Sequence, residues 1–316
     1  MTCDRSSGKQ NTLRRSATVS GIGVHSGRPA SLTIHPAEAG SGICFQRMSN
    51  GDGHDPVRAH YTNVSATELC TVVGLNGSSV ATIEHLMATL SALAVDNATI
   101  EIDGPEVPVM DGSAGAFLEA LDEAGITALD APRSFIKVLR PVSVRYGDAA
   151  AEFRPYDGMR IEVEIEYANA LVGRQQFAAD IDGEVFRREI ARARTFGFLA
   201  DVEQLWERGL AQGASLDNAV VVGDDRVMNP EGLRYVDEFV RHKALDALGD
   251  LALAGAPIRG LYRSYRGGHR LNVTALAALL SDESAWSWGS DGEAVERPEV
   301  AARAVREVAA IGPEAA

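Results

Sequence analysis

The chain has 316 residues, with 30 Lys+Arg against 44 Asp+Glu, a formal net charge of −14, 45% hydrophobic residues and only 6% aromatic ones. That length suits one large or two medium domains. A pI near 5.0 argues against general tracking of DNA or RNA phosphates, which needs a basic face able to release counterions.

Three cysteines, Cys3, Cys44 and Cys70, are too few and too scattered for a disulfide framework, and none forms a CxxC pair. The first thirty residues hold no apolar run of signal-peptide length, and no segment reaches the about 18 to 20 apolar residues of a membrane span. The expectation is a soluble, cytoplasmic protein without stable membrane insertion. Its basic residues are 27 Arg and only three Lys, at Lys9, Lys137 and Lys243, so any anionic ligand must meet local positive charge.

Residues 1–11 are polar and are expected to be disordered. Thr12–Pro36 then alternates in the manner of a strand hairpin around the turn-prone Gly21-Ile22-Gly23 and Ser26-Gly27. A helix pattern covers about Thr82–Leu93, followed by a strand at Ala98–Ile102 and an amphipathic helix at Ser113–Ala124. Asp130–Arg133 reads as a linker. Beyond it the order of elements begins again. Strands are expected at about Phe135–Val144, Ala150–Arg154 and Met159–Tyr167, and helices at Gly183–Phe198 and Glu238–Leu253. A strand near Ile258–Tyr265 and a helix near Thr274–Leu280 follow. The segment around Glu84-His85 aligns with Arg241-His242, about half a chain later, which suggests two domains of similar β-then-α build. Domains at 12–130 and 134–280 are expected, with 281–316, including Trp286 and Trp288, as an extension outside the core.

Of seven histidines, His35, His54 and His60 sit among loop or polar residues and carry no assigned chemistry. His242 and Asp246 stand at i and i+4 of an expected helix, so their side chains share one face. An imidazole nitrogen and a carboxylate oxygen at that spacing can share a metal ion; a plain surface pair is the alternative. Glu84-His85 opens the corresponding helix among apolar and small residues, where ionisable groups need a partner or a metal. Two His and one Asp form a three-ligand zinc set with an open fourth position, and Glu84 stands beside a ligand as a base for water. His269, after Arg266-Gly267-Gly268, is placed on a turn as a candidate proton donor with Asp250 as its partner. There is no HExxH, no GxSxG and no P-loop, and Cys70 lacks an adjacent base, which leaves a Ser or Cys hydrolase as the weaker reading.

Six segments then occur in a fixed order: Ile83-Glu84-His85-Leu86, Val107-Pro-Val-Met-Asp-Gly-Ser113, Ala191-Arg-Ala-Arg-Thr-Phe-Gly-Phe198, Ser215-Leu-Asp-Asn-Ala219, Asp237–Asp246 and Gly268-His269. Over roughly Asn11–Leu280 the chain closely resembles the zinc-dependent UDP-3-O-acyl-N-acetylglucosamine deacetylases of lipid A synthesis. The resemblance implies an α+β fold of two similar domains, each a β-sheet packed on helices, with the active site at their interface. It implies one catalytic zinc ion, with iron as the alternative occupant, on His85, His242 and Asp246. Glu84 would be the base, His269 the acid, Asp250 its orienting partner and Thr195 a donor to the oxyanion. Lys243, Phe196, Arg266 and Ser215 would contact a UDP-linked acylated amino sugar. It also implies a monomer and a βαβ insert, expected around Leu171–Ile190, that forms an apolar channel for the acyl chain. Arg192, Arg194, Arg241, Arg263 and Arg266 fall with Lys243 in the motifs assigned to the cleft.

The chain departs from the family pattern at Ala214, at Ala168-Asn169-Ala170, at Gly147-Asp148-Ala149-Ala150 and at Arg266. These positions bear on acyl-chain length and UDP contact rather than on the metal. A non-catalytic sugar-nucleotide binder and a zinc hydrolase of another acylated amine are the competing readings. All five chemistry positions are present, which speaks against the first of these.

Overall fold

A computed structural model describes residues 8–48 and 55–290. The first half runs β1 (Lys9–Leu13), β2 (Ala17–Ile22), β3 (Pro29–Pro36), β4 (Ile43–Arg47), β5 (Val57–Arg58), β6 (Val64–Ala66), β7 (Val72–Leu75) and β8 (Ser78–Val80). Helix α1 (Glu84–Ala92), β9 (Ala98–Ile102), α2 (Gly115–Ala124) and β10 (Ile126–Pro132) complete it. Alternation along β3 and β9 turns Leu32, Ile34, Ala98, Ile100 and Ile102 to one face, where all are buried. The resulting five-stranded sheet has the order β2-β3-β9-β4-β5, with only the β4–β9 pair parallel. β6, β7 and β8 form a separate meander.

The second half contains β11 (Ser134–Val138), β12 (Val142–Tyr146), β13 (Ala149–Arg154), β14 (Met159–Glu166), β15 (Arg174–Asp180), α3 (Gly183–Val185), β16 (Phe196–Phe198), α4 (Val202–Glu207) and β17 (Val220–Val222). It ends with α5 (Glu238–Leu251), β18 (Ile258–Tyr265), α6 (His269–Ser281) and β19 (Trp286–Ser290). β18 is the hub of this sheet, antiparallel to β13 and parallel to β14 and β11. Among the described residues no strand ladder joins 9–132 to 134–290; the halves meet where α1 packs on α5. Both helices are buried along nearly their whole length, which explains why neither shows a clean amphipathic stripe.

Six expectations need correction. Residues 9–11 are not a disordered leader, because β1 begins at Lys9 and pairs with β10; residues 1–7 lie outside the described residues. The Asp130–Arg133 linker is mostly strand, since β10 continues to Pro132 and Arg133 holds Asp96 at 2.8 Å. The tail is not wholly external: β19 pairs antiparallel with β11, and Trp286 and Trp288 pack on the core, while 291–316 lie outside the described residues.

No βαβ unit occupies 171–190. Asn169 closes a hairpin there, accepting the N–H of Leu171 at its side chain (2.9 Å) and of Gly173 at its carbonyl (2.8 Å), and β15 returns antiparallel to β14. The βαβ unit lies at 196–222, where β16 and β17 are parallel and α4 intervenes. The helix expected through Phe198 therefore stops at Ile190. Finally, α6 starts at His269, five residues before the expected helix, with extended Gly268 as its N-cap and the turn absorbed by Arg266 at φ 51°.

Candidate metal centre and active site

α1 presents His85 in its first turn, and α5 presents His242 and Asp246 one turn apart. The three are 4%, 2% and 3% exposed, and their donor atoms all lie within 4.8 Å of one another. Asp246 Oδ1 is 3.3 Å from His242 Nε2 and 3.6 Å from His85 Nε2. Tetrahedral bonds of roughly 2.0–2.1 Å would place ligand atoms about 3.3 Å apart, so the spacing fits a small four-coordinate cation.

The surroundings prepare the donors. His242 Nδ1 donates to the Ala193 carbonyl (3.0 Å); a carbonyl only accepts, so the proton sits on Nδ1 and the Nε2 lone pair faces the cluster. Burial lowers the His242 pKa to about 4, against the pull of Asp246, which keeps the ring neutral. Burial opposes ionisation of Asp246, yet the imidazoles beside it and the Lys243 charge outweigh burial and hold the carboxyl well below the usual range. Lys243 Nζ lies 3.2 Å from Asp246 Oδ2 and 5.7 Å from the centre of the Phe196 ring. Phe196 in turn packs edge-on against Phe239, at 4.9 Å.

Glu84 and His269 stand beside this cluster, with Glu84 Oε1 3.9 Å from His269 Nε2. Burial raises the Glu84 pKa, while the charges of His269 and His85 restrain it. The carboxylate is therefore a stronger base than an exposed one. His269 Nδ1 donates to Asp250 Oδ2 (2.9 Å); burial disfavours its charge, but Asp250 and Glu84 prevail and raise its pKa to about 10. Asp250 also accepts from Asn272 (2.8 Å) and from the Thr71 hydroxyl (2.6 Å).

Thr71 was invisible in the sequence. Its N–H goes to Glu84 Oε2 (3.0 Å) and its hydroxyl to Asp250, so one residue ties base and acid together. The neighbouring Cys70 is no nucleophile, because burial, reinforced by Glu84, pushes its thiol up to about 12.

Thr195 lies on the segment whose Ala193 carbonyl orients His242. Its N–H donates to Gly112 (2.7 Å) and its carbonyl accepts from Val220 (2.8 Å), which joins the Asp111-Gly112-Ser113 turn to the βαβ unit. Gly112, at φ 85°, has no room for a side chain: a β-carbon there would lie 2.2 Å from the Asn218 carbonyl oxygen.

Two expected substrate residues are not tied to the cluster. The Ser215 hydroxyl caps its own turn at Asp217 N, and exposed Arg266 lies at the end of β18 beside Tyr265. Three of the arginines expected in the cleft also need correction. Arg194 is buried on Glu238 (2.9 Å), Arg241 pairs with Asp237 and Glu189 (both 2.6 Å), and Arg263 pairs with Glu162 (2.5 Å). They brace the scaffold, and Lys243 is the cation at the cluster.

The sequence profile of the UDP-3-O-acyl N-acetylglycosamine deacetylase family matches residues 10–281. Proteins named UDP-3-O-acyl-N-acetylglucosamine deacetylase from Brucella ovis, Brucella canis and Brucella melitensis are each 55% identical over 278 residues, covering 88% of this chain and 97% of theirs. No described helix is long and apolar enough to cross a membrane. With most of its length matched and more than half of the aligned residues identical, the chain belongs to the UDP-3-O-acyl N-acetylglycosamine deacetylase family.

Proposed function

We propose that the chain removes the N-acetyl group of UDP-3-O-acyl-N-acetylglucosamine by zinc-dependent hydrolysis, giving acetate and UDP-3-O-acyl-glucosamine for lipid A synthesis. The observation that carries this reading is the juxtaposition of a three-donor cluster with a buried carboxylate and a buried imidazole. A zinc ion held by His85, His242 and Asp246 supplies Lewis acidity, which polarises an amide carbonyl and makes water nucleophilic near neutral pH.

The protein groups do the rest. Glu84 Oε1 takes the proton of the attacking water, its other oxygen being fixed by Thr71. The Thr195 hydroxyl donates to the oxygen that gains charge. His269 Nε2 gives its proton to the departing amine nitrogen, and its Nδ1–H stays anchored on Asp250. Lys243 and Phe196 grip the sugar-nucleotide beside the cluster, with Arg266 and Ser215 as outer contacts. The unit at 196–222 covers the acyl chain. The division of strand ladders at residue 133 and the meeting of α1 with α5 support two domains with the reaction at their interface.

Acetate release from this substrate, measured before and after chelation and after zinc is added back, tests the reading. Activity should vanish and return; a folded protein that binds no zinc would overturn it.

A further inference from the structure

Asp250 is fully buried and is met by three donors. The Thr71 hydroxyl donates to Oδ1 (2.6 Å), while His269 Nδ1 (2.9 Å) and Asn272 Nδ2 (2.8 Å) share Oδ2. His269 and Asn272 stand at i and i+3 of α6, so both side chains leave one helix face. The oxygen that anchors the His269 ring is thus held by a neighbour one turn along the same helix.

Asn272 is itself held from behind, its Oδ1 accepting the Tyr262 hydroxyl at 2.7 Å. Tyr262 is fully buried in β18, between Phe153 of β13 and Ile161 of β14 in the sheet register, with its ring 5.0 Å from that of Phe153. Burial, reinforced by the charge of Asp250, raises the Tyr262 pKa, so the phenol keeps the proton it donates. A carboxylate offers only lone pairs, so the amide turns its N–H end to Asp250 and its carbonyl end to Tyr262. The hydrogen bonds therefore run in one sense, from Tyr262 through Asn272 to Asp250, and each polarises the next. Packing alone does not account for an amide at this place, 3% exposed, since an apolar side chain would fill it with no polar group to satisfy.

We propose that Asn272, backed by Tyr262, is a positioning residue for proton transfer to the departing amine: it fixes the Asp250 carboxylate and, through the shared oxygen, the His269 ring whose Nε2 lies beside Glu84. The proposal rests on the deacetylase reading above. Thr71 pins one carboxylate oxygen and by itself leaves the group free to turn; Asn272 on the other oxygen removes that freedom. Protonation of the leaving nitrogen is needed only in the transition state, so loss of the alignment falls on kcat rather than on KM.

The test compares the zinc-loaded parent with Asn272→Leu, Tyr262→Phe and the double variant on UDP-3-O-acyl-N-acetylglucosamine, with zinc content and Tm measured for each. The His269 Nδ1–H signal is followed by NMR in protein carrying labelled histidine and is assigned by its absence from His269→Gln. Asn272→Leu should lower kcat roughly 10- to 100-fold, the loss of one hydrogen bond to a charged group, with KM within about threefold and zinc content unchanged. The Nδ1–H signal should shift or broaden with it. Tyr262→Phe should do the same to a smaller degree. The double variant should be no slower than Asn272→Leu, because Tyr262 acts only through the amide; two independent packing losses would multiply instead. An unaltered kcat in Asn272→Leu overturns the proposal, as does a fall in kcat with an unmoved Nδ1–H signal, or a multiplied loss in the double variant. Should Asn272→Leu fail to fold, Tyr262→Phe decides on the same two readouts. An inactive parent overturns the deacetylase reading and this inference with it, whereas an active parent with unaffected variants overturns this inference alone.

Discussion

Gly249 stands against Glu84 so closely that a β-carbon on Gly249 would lie 2.0 Å from the Glu84 carbonyl oxygen and 2.8 Å from its Cα. α5 therefore touches α1 backbone to backbone, between Asp246 and Asp250 on one helix and just before His85 on the other. This contact sets the separation of the donors contributed by the two helices. Helix propensity alone favours Ala over Gly by about 1 kcal/mol. Here the overlap wins, because a buried backbone cannot yield cheaply, and Gly249→Ala should cost about 1–3 kcal/mol net. It should also weaken zinc binding. Thermal melting and zinc titration check this, and a variant with parental metal affinity would contradict the spacing role.

His269 and Asp250 predict a pH effect. The His269 pKa is raised from 6.5 to about 10, chiefly because Asp250 and then Glu84 overcome burial. Its contribution to stability is full below about 6.5 and is lost as pH rises through about 10. Asp250→Asn removes the largest raising charge. The alkaline limb of kcat/KM should then move to lower pH, as the proton donor is lost earlier. A profile with an unmoved alkaline limb would refute the pairing.

Thr71 should matter to turnover without touching the metal. Thr71→Val keeps the N–H that binds Glu84 but deletes the hydroxyl at Asp250. A hydrogen bond to a charged group contributes about 1.5–3 kcal/mol, so kcat should fall roughly 10- to 100-fold with zinc content unchanged. Thr71→Ser should recover most of it. Equal rates in the Val and Ser variants would show that the hydroxyl is idle.

The Arg194–Glu238 pair should be structural. Arg194 is 2% exposed and also reaches Glu231 and the Gly232 carbonyl, while Glu238 is fully buried. Glu238→Ala strands the guanidinium and should cost about 3–5 kcal/mol. Because Arg194 follows Ala193, whose carbonyl orients His242, zinc affinity should fall with it. Replacing both partners by Met should cost less than the single change, which a double-mutant cycle in urea would measure.

Much of the local structure was legible because helices and strands impose periods of 3.6 and 2 on neighbours in the chain. The strands at Ala98–Ile102 and Ile258–Tyr265 could be read with their observed bounds, and the shared face of His242 and Asp246 follows from the helix repeat alone. Boundaries failed where a few atoms decide the outcome. Asn169 turns the chain into a hairpin, Phe196–Phe198 leaves the helix pattern to pair with β17, and Trp286–Ser290 finds an edge of β11.

The sequence by itself determined which residues offer metal donors and proton carriers, and the helices and strands whose period is regular. Only the tertiary structure decided which of them meet. His85 reaches Asp246 because α1 lies on α5, and Thr71 bridges Glu84 and Asp250 because the residue just before β7 meets a side chain from each of these helices. Arg194, Arg241 and Arg263, read with the other arginines as cleft charge, go instead into ion pairs that run from fully buried to exposed. Such contacts join residues far apart in the chain, and packing distance and desolvation fix them; no local periodicity records either.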